Sequence, residues 1–173
     1  MAETASRADR VVLRPGTTDD IPGLRALGEA VVPPTYGPID AAYAQRMLDE
    51  WWTPERFADS LPRVRMLVAE LDGQLVGMTT LGWLSASHRD FPHVTGDREV
   101  MWKLYVHPNH QGRGIGSRLL DLAVQWLWQR GRTVITLTTG PGTRAAAFYA
   151  RRGWTDVGIQ PNGEIRFERH RHG

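Results

Sequence analysis

Residues 11–14 alternate weakly between apolar and polar positions and predict a first strand. Ile21, Leu24, Leu27 and Val31 follow at helical spacing, behind a start signal in which Thr17 or Thr18 caps the helix and acidic residues fill its first turn. Pro33 and Pro34 are expected to end that helix. Residues 41–51 read as a second helix, and Pro54 can open another short one. Residues 64–70 predict a strand, Asp72-Gly73 a tight hairpin and residues 75–84 the returning strand. A polar loop over 85–98 precedes a strand over 99–106. Leu119, Leu120, Ala123, Val124, Trp126 and Leu127 then give a helix its apolar face, and Gly131 ends it. A β-branched strand follows over 133–139. Thr143 caps a short helix over 144–152 that stops at Gly153, and strands over 154–159 and 164–169 close the chain.

The predicted order is β α α β β β α β α β β. This is an α+β chain with a mixed, mostly antiparallel sheet flanked by helices. Residues 1–10 read as a flexible N-terminus and 11–173 as one domain, with no internal repeat and no low-complexity segment.

At 173 residues the chain is long enough to bury a real core. It has no cysteine, which excludes disulfides, thiolate metal sites and a cysteine nucleophile. No apolar run approaches the roughly 18 residues of a membrane span, and the polar start lacks a signal-peptide core. A cytoplasmic protein that engages no membrane is expected. The net charge is only +2 and the basic residues are scattered, so no nucleic-acid partner is expected. Lys103 is the only lysine among 21 Lys and Arg residues.

Candidate chemistry concentrates at Gln111-Gly112-Arg113-Gly114-Ile115-Gly116. The segment lies between the strand over 99–106 and the helix that begins near Ser117. Glycines let a backbone turn sharply and approach a ligand closely. The first N–H groups of a helix lack intrahelical acceptors and sit at the positive end of its dipole, so a phosphate fits there. A nucleotide-triphosphate loop would end in Gly-Lys-Ser/Thr, which is absent. The dinucleotide fingerprint G-x-G-x-x-G does not match glycines at 112, 114 and 116.

The pattern does match Q/R-x-x-G-x-G/A, and so resembles the coenzyme A pyrophosphate loop of the GNAT N-acetyltransferase superfamily. Two more segments agree, in the same chain order. Leu104-Tyr-Val-His-Pro108 resembles the family's L-Y-V-x-P stretch, and Arg144-Ala-Ala-Ala-Phe-Tyr-Ala-Arg-Arg-Gly-Trp154 its R-A-x-x-F-Y-x-x-x-G-F segment. The resemblance implies the GNAT fold over nearly the whole chain and acetyl-CoA as co-substrate. It implies that backbone groups of Leu104, Tyr105 and Val106 pair with the pantetheine arm. Gln111, Gly112, Arg113, Gly114, Ile115, Gly116 and Ser117 would hold the pyrophosphate, with Arg113 and Arg118 adding charge. The family often carries an asparagine seven residues before its tyrosine; here that residue is Gly142, and Thr143 replaces the contact only in part.

Acyl transfer to an amine needs a base, an oxyanion donor and an acid for the departing thiolate. A phenol near pKa 10 can protonate a thiolate near 8.5, and the resemblance puts Tyr149 in that role. Its other reading is an aromatic on the core face of a short helix. Glu99, at the start of the strand toward the cofactor loop, is the candidate base; an exposed strand-end glutamate is an equal reading. Asp97 and His93 are weaker candidates. A bulge is expected in this strand, and a backbone N–H within 104–106 is the expected oxyanion donor. His88, His93, His107 and His110 lack the close paired spacing of a zinc site, so no metal is expected. Trp51, Trp52, Tyr36 and Tyr43 concentrate aromatics where the acceptor is expected, as a wall for an amine or as simple core packing. The acceptor is then a primary amine of a small molecule or peptide, acetylated by direct transfer. A non-catalytic acyl-CoA sensor or partner-binding domain is the competing class. Tryptophans and C-terminal strand edges leave room for a homodimer.

Overall fold

Opposite strand and helix signals resolve into clean boundaries wherever a capping residue marks them. A computed structural model describes residues 11–84, 98–161 and 163–171, and the side chains of all of these but 83, 84 and 98–100. The elements are β1 (Val12–Pro15), α1 (Ile21–Tyr36), α2 (Ala41–Glu50), α3 (Pro54–Ser60), β2 (Arg65–Leu71), β3 (Gln74–Leu84), β4 (Arg98–Val106), α4 (Ile115–Gln129), β5 (Val134–Thr139), α5 (Arg144–Arg151), β6 (Thr155–Ile159) and β7 (Ile165–His170). The expected order stands, with the short helix opened by Pro54 now a defined element. Asp40 and Thr53 cap α2 and α3 by accepting from the N–H groups of Tyr43 and Arg56.

The seven strands hydrogen-bond in the order β1-β2-β3-β4-β5-β7-β6. The β1–β2, β5–β7 and β6–β7 pairs are antiparallel, while β4 and β5 are parallel, with Val100 opposite Thr136. The β2–β3 turn carries left-handed Asp72 and Gly73 (φ 51° and 78°), the two positive dihedrals that a tight hairpin of this kind needs.

The described residues fall into two compact units. One is drawn from 1–80 and 103–121, the other from 81–102 and 122–173. In the first, Leu24, Leu27 and Val31 of α1 are buried with Trp52, Phe57 and Met78 in one apolar cluster. Trp52 is wedged against α1 at Gly28, where a Cβ would lie 2.3 Å from the indole Cε3. Arg14 clamps the same unit. Its guanidinium donates to both oxygens of Asp20 (2.7 and 2.8 Å) and twice to Glu70 Oε2 (2.7 and 3.0 Å), joining β1, the start of α1 and β2. In the second unit, Tyr149, Trp154, Phe167 and Leu137 are buried.

One expectation is corrected. Pro33 and Pro34 do not end α1, which runs through both to Tyr36. Each proline removes one N–H donor, but this close to the helix end only two bonds are lost and the next ones close the turn. Here the Thr35 hydroxyl donates to Val31 O (2.6 Å) and the Gly37 N–H to Pro33 O (2.8 Å).

Candidate active site

The strand that leads to the glycine loop carries one residue of unusual backbone conformation. Lys103 adopts φ 57°, a left-handed conformation inside β4. A side-chain-bearing residue adopts this conformation only at an energetic cost. Further along, the N–H of His107 donates to Val76 O (2.9 Å), so β4 is again held against β3 at its end. Gly77 on β3 allows this crowding: a Cβ there would come within 3.1 Å of Tyr105 O and of Leu119 Cδ1 on α4.

The loop itself is built for close approach to its amides. Gly112 and Gly114 have φ 76° and 75°. A Cβ at either would meet nothing within 4 Å, so the backbone conformation, not crowding, calls for glycine there. The helix begins at Ile115, and its first hydrogen bond from this turn runs from the Arg118 N–H to Gly114 O (3.0 Å). The N–H groups of the turn before Arg118 precede the first intrahelical bond, as at any helix start. Gln111 donates its side-chain amide to Val106 O (3.1 Å), tying the loop to the strand end. Arg113 is exposed between the two left-handed glycines. Arg118 commits one donor to Val11 O (3.0 Å), so only part of its expected phosphate-binding capacity is open to a ligand. This cradle fits the pyrophosphate of a coenzyme.

Aromatic side chains gather around Lys103 in the same unit. The Lys103 ammonium lies 5.6 Å from the Trp52 ring centroid and 5.5 Å from that of Phe57. Tyr105 meets Trp52 edge-on at 5.4 Å. The Tyr105 hydroxyl is 2.7 Å from that of Tyr36, whose ring meets Tyr43 at 5.7 Å. Trp52 is fully buried, while Trp51 is half-buried with Arg56 over its face. Of the aromatics expected at an acceptor wall, Trp52 is therefore core, and Tyr36 is hydrogen-bonded to Tyr105. Spacing alone had not marked Lys103, although a lone lysine in an arginine-rich chain was a visible signal.

Tyr149 and Thr143 belong to the other unit. Tyr149 sits on α5, 6% exposed, with its ring against Trp154 (5.8 Å) and Phe167 (6.0 Å). Thr143 caps α5: its hydroxyl accepts from the Ala146 N–H (3.1 Å) and donates to Gly140 O (2.8 Å), which spends its hydrogen locally. Gly142 is left-handed at φ 70°. Glu99 lies on β4, but its side chain is outside the described residues, as are Asp97, His93 and His88. His107 and His110 face each other edge-on at 5.5 Å, and His107 Nδ1 accepts from the Asn109 N–H (3.2 Å). Among the described residues no group of three His, Asp or Glu could hold a metal ion, and no helix is long and apolar enough to cross a membrane.

The family model for the acetyltransferase (GNAT) family matches residues 26–154. The chain belongs to that family. The PaiA N-acetyltransferase of Thermoplasma acidophilum, solved in complex with coenzyme A, has the same fold: TM-score 0.80 at 17% identity, over 93% of this chain and 99% of that one. A mycothiol acetyltransferase of Propionibacterium freudenreichii is 30% identical over 161 residues, 88% of this chain and 46% of that protein. An uncharacterized N-acetyltransferase of Methanocaldococcus jannaschii is 28% identical over 122 residues, 66% of this chain and 48% of that protein. This GNAT chain thus spans about half the length of the curated relatives it matches.

Proposed function

We propose that this chain transfers an acetyl group from acetyl-CoA to a primary amine of a small molecule or peptide, directly and within a ternary complex. The observation that carries the reading is the left-handed glycine cradle at the start of α4, fed by the strand β4. Acetyl-CoA supplies the activated acyl group as a thioester. The amides of residues 112–117 and Arg113 bind its pyrophosphate, and the backbone of Leu104, Tyr105 and Val106 takes the pantetheine arm as an added strand. A backbone N–H in the same stretch stabilises the oxyanion. Glu99, directly or through water, removes the amine proton, and Tyr149 returns a proton to the departing sulfur. With no cysteine in the chain, a thioester on the enzyme is excluded, which favours direct attack by the amine.

A second reading has one observation in its favour. Tyr149 is buried among aromatics, as a core residue would be. On that reading the chain binds acyl-CoA without turning it over. Free-thiol release from acetyl-CoA, run across amines, amino acids and peptides beside calorimetry with coenzyme A, separates the two. Amine-dependent thiol release is expected. Binding without release on any acceptor favours the sensor, and absence of binding overturns both. A cytoplasmic location and a homodimer belong to the same proposal, and sedimentation of the purified chain tests the latter.

A further inference from the structure

The last residues of β4 face two ways. The His107 N–H donates to Val76 O on β3 (2.9 Å), and no peptide bond among the described residues is cis. Across a planar trans peptide the carbonyl and the following N–H point in opposite directions, so the Val106 carbonyl points away from β3. Tyr105, one residue back, faces the other way: its carbonyl oxygen lies 3.1 Å from where a Cβ on Gly77 of β3 would sit. Backbone groups alternate sides along a strand, which returns Leu104 to the side of Val106. Of the three residues expected to meet the pantetheine arm, Leu104 and Val106 therefore carry the pairing groups, while Tyr105 turns its own toward β3. One acceptor on the pairing side is already engaged. The Gln111 side-chain amide donates to Val106 O (3.1 Å), reaching back from the mouth of the glycine cradle. Gln111 is exposed, so core packing does not require this bond.

We infer that Gln111 is a positioning residue that sets the register of the pantetheine arm on β4. The inference rests on the acetyl-CoA reading above and deepens it. With Val106 O occupied, the amides of the arm pair at the Val106 N–H and the Leu104 carbonyl, and the thioester is carried to its full reach along the strand. With Val106 O free, an amide N–H of the arm pairs there first, closer to the cradle. Pairing on one side of a strand repeats every two residues, so the thioester is then held back by roughly 6–7 Å. The diphosphate stays in its cradle, because the rotatable single bonds between it and the first amide take up the slack. Such a complex binds without reacting, since reacting atoms must approach to about 3–3.5 Å.

The test compares the wild-type chain with Gln111→Met, which keeps the length of the side chain without a donor, and Gln111→Arg, which restores one. An unproductive register adds a way to bind and subtracts from turnover. In Gln111→Met, kcat and the KM for acetyl-CoA should therefore fall together by roughly two- to tenfold, the effect of one neutral hydrogen bond, with kcat/KM unchanged. Calorimetric affinity for coenzyme A should rise by the same factor, and Gln111→Arg should return both constants toward wild type. A side chain that only steadied the loop would act in the opposite sense, since its loss would weaken coenzyme A binding and raise KM. A raised KM, equal or weaker coenzyme A binding, or a loss of kcat without the matching fall in KM overturns the inference while the transferase reading stands. If no amine releases thiol from the wild-type chain, calorimetry alone decides: tighter binding by Gln111→Met sustains the register, and equal or weaker binding overturns it. If the wild-type chain does not bind coenzyme A, the acetyl-CoA reading fails and this inference falls with it.

Discussion

The hydroxyl groups of Tyr36 and Tyr105 lie 2.7 Å apart and tie the last turn of α1 to β4 across 69 residues of sequence. One hydroxyl must donate to the other in a half-buried setting, where a hydrogen bond contributes about 1 kcal/mol net. Tyr36→Phe and Tyr105→Phe should each lower the unfolding free energy by about that amount. The double variant should cost less than the sum, because each single change already breaks the shared bond. Urea unfolding of the four proteins measures this, and strictly additive losses would mean the pair contributes nothing.

The Arg14 clamp makes the fold sensitive to acid. Its guanidinium, hydrogen-bonded to Asp20, holds that carboxyl below the usual carboxylate range, and Asp20 with Glu70 pushes the Arg14 pKa up. Because the folded pKa of Asp20 is depressed, the clamp stabilises the protein fully above the unfolded value of about 4. That contribution is lost as pH falls through the lower folded value. Asp20→Asn should therefore cost about 1–3 kcal/mol at pH 7, with the gap to wild type narrowing below about pH 4. Urea midpoints of both proteins at pH 7 and pH 3 give the answer; a gap that is constant with pH would count against the clamp.

Gly28 sets the position of Trp52, and through it the rings around Lys103. A Cβ at 28 would lie 2.3 Å from Trp52 Cε3 and 2.7 Å from Cδ2. Neither a helix backbone nor a fully buried indole can give way cheaply, so Gly28→Ala should cost about 1–3 kcal/mol despite alanine's higher helix propensity. A shift in the near-ultraviolet circular dichroism should accompany the loss. A stabilised Gly28→Ala protein with an unchanged tryptophan spectrum would contradict this packing.

These relationships also mark how much was legible from residues alone. Of the apolar stripe, Leu119, Leu120, Ala123, Val124 and Leu127 are buried as its 3.6-residue period requires while Trp126 is only half-buried, and the Asp72-Gly73 turn takes the two left-handed dihedrals its residue types favour. Local signals of that kind need no knowledge of tertiary contacts. Pro33 and Pro34 misled because a helix can lose two donors near its end and still run on when the bonds beyond them close, as those from Thr35 and Gly37 do. The left-handed backbone of Lys103 inside β4 was not foreseeable, since lysine has no preference for that conformation. The Tyr36–Tyr105 pair and the Lys103 cation over Trp52 depend on long-range folding that no periodicity encodes. At the candidate site, the glycine cradle could be read from spacing, while the local duties of Arg118 and Thr143 appear only with coordinates.

Gly142 occupies the position where similar acetyltransferases often carry an asparagine toward the pantetheine arm. Its φ of 70° is one that asparagine tolerates better than most residues, and a Cβ there would meet nothing within 4 Å. Gly142→Asn should fold with a loss of no more than about 1 kcal/mol and lower the KM for acetyl-CoA by roughly three- to tenfold, the effect of one added neutral hydrogen bond. Gly142→Ala carries a similar backbone cost without the amide and should leave KM unchanged or higher. Identical KM values for the two variants would show that the asparagine contact is not recovered in this chain.

Tyr149 is where the two readings of the chain diverge most sharply. Its ring packs on Trp154 and Phe167, so phenylalanine preserves the apolar contacts and removes only the hydroxyl. If that hydroxyl protonates the departing thiolate, Tyr149→Phe should lower kcat by roughly 10²- to 10⁴-fold, the range of general acid catalysis. Coenzyme A affinity by calorimetry and the unfolding midpoint should change little. The alkaline limb of the kcat profile should also shift or vanish, since it reports loss of the acid's proton. A structural tyrosine would behave differently: its loss would move the unfolding midpoint and leave the shape of the pH profile intact. Full turnover in Tyr149→Phe would transfer the proton to water or another group and remove Tyr149 from the chemistry.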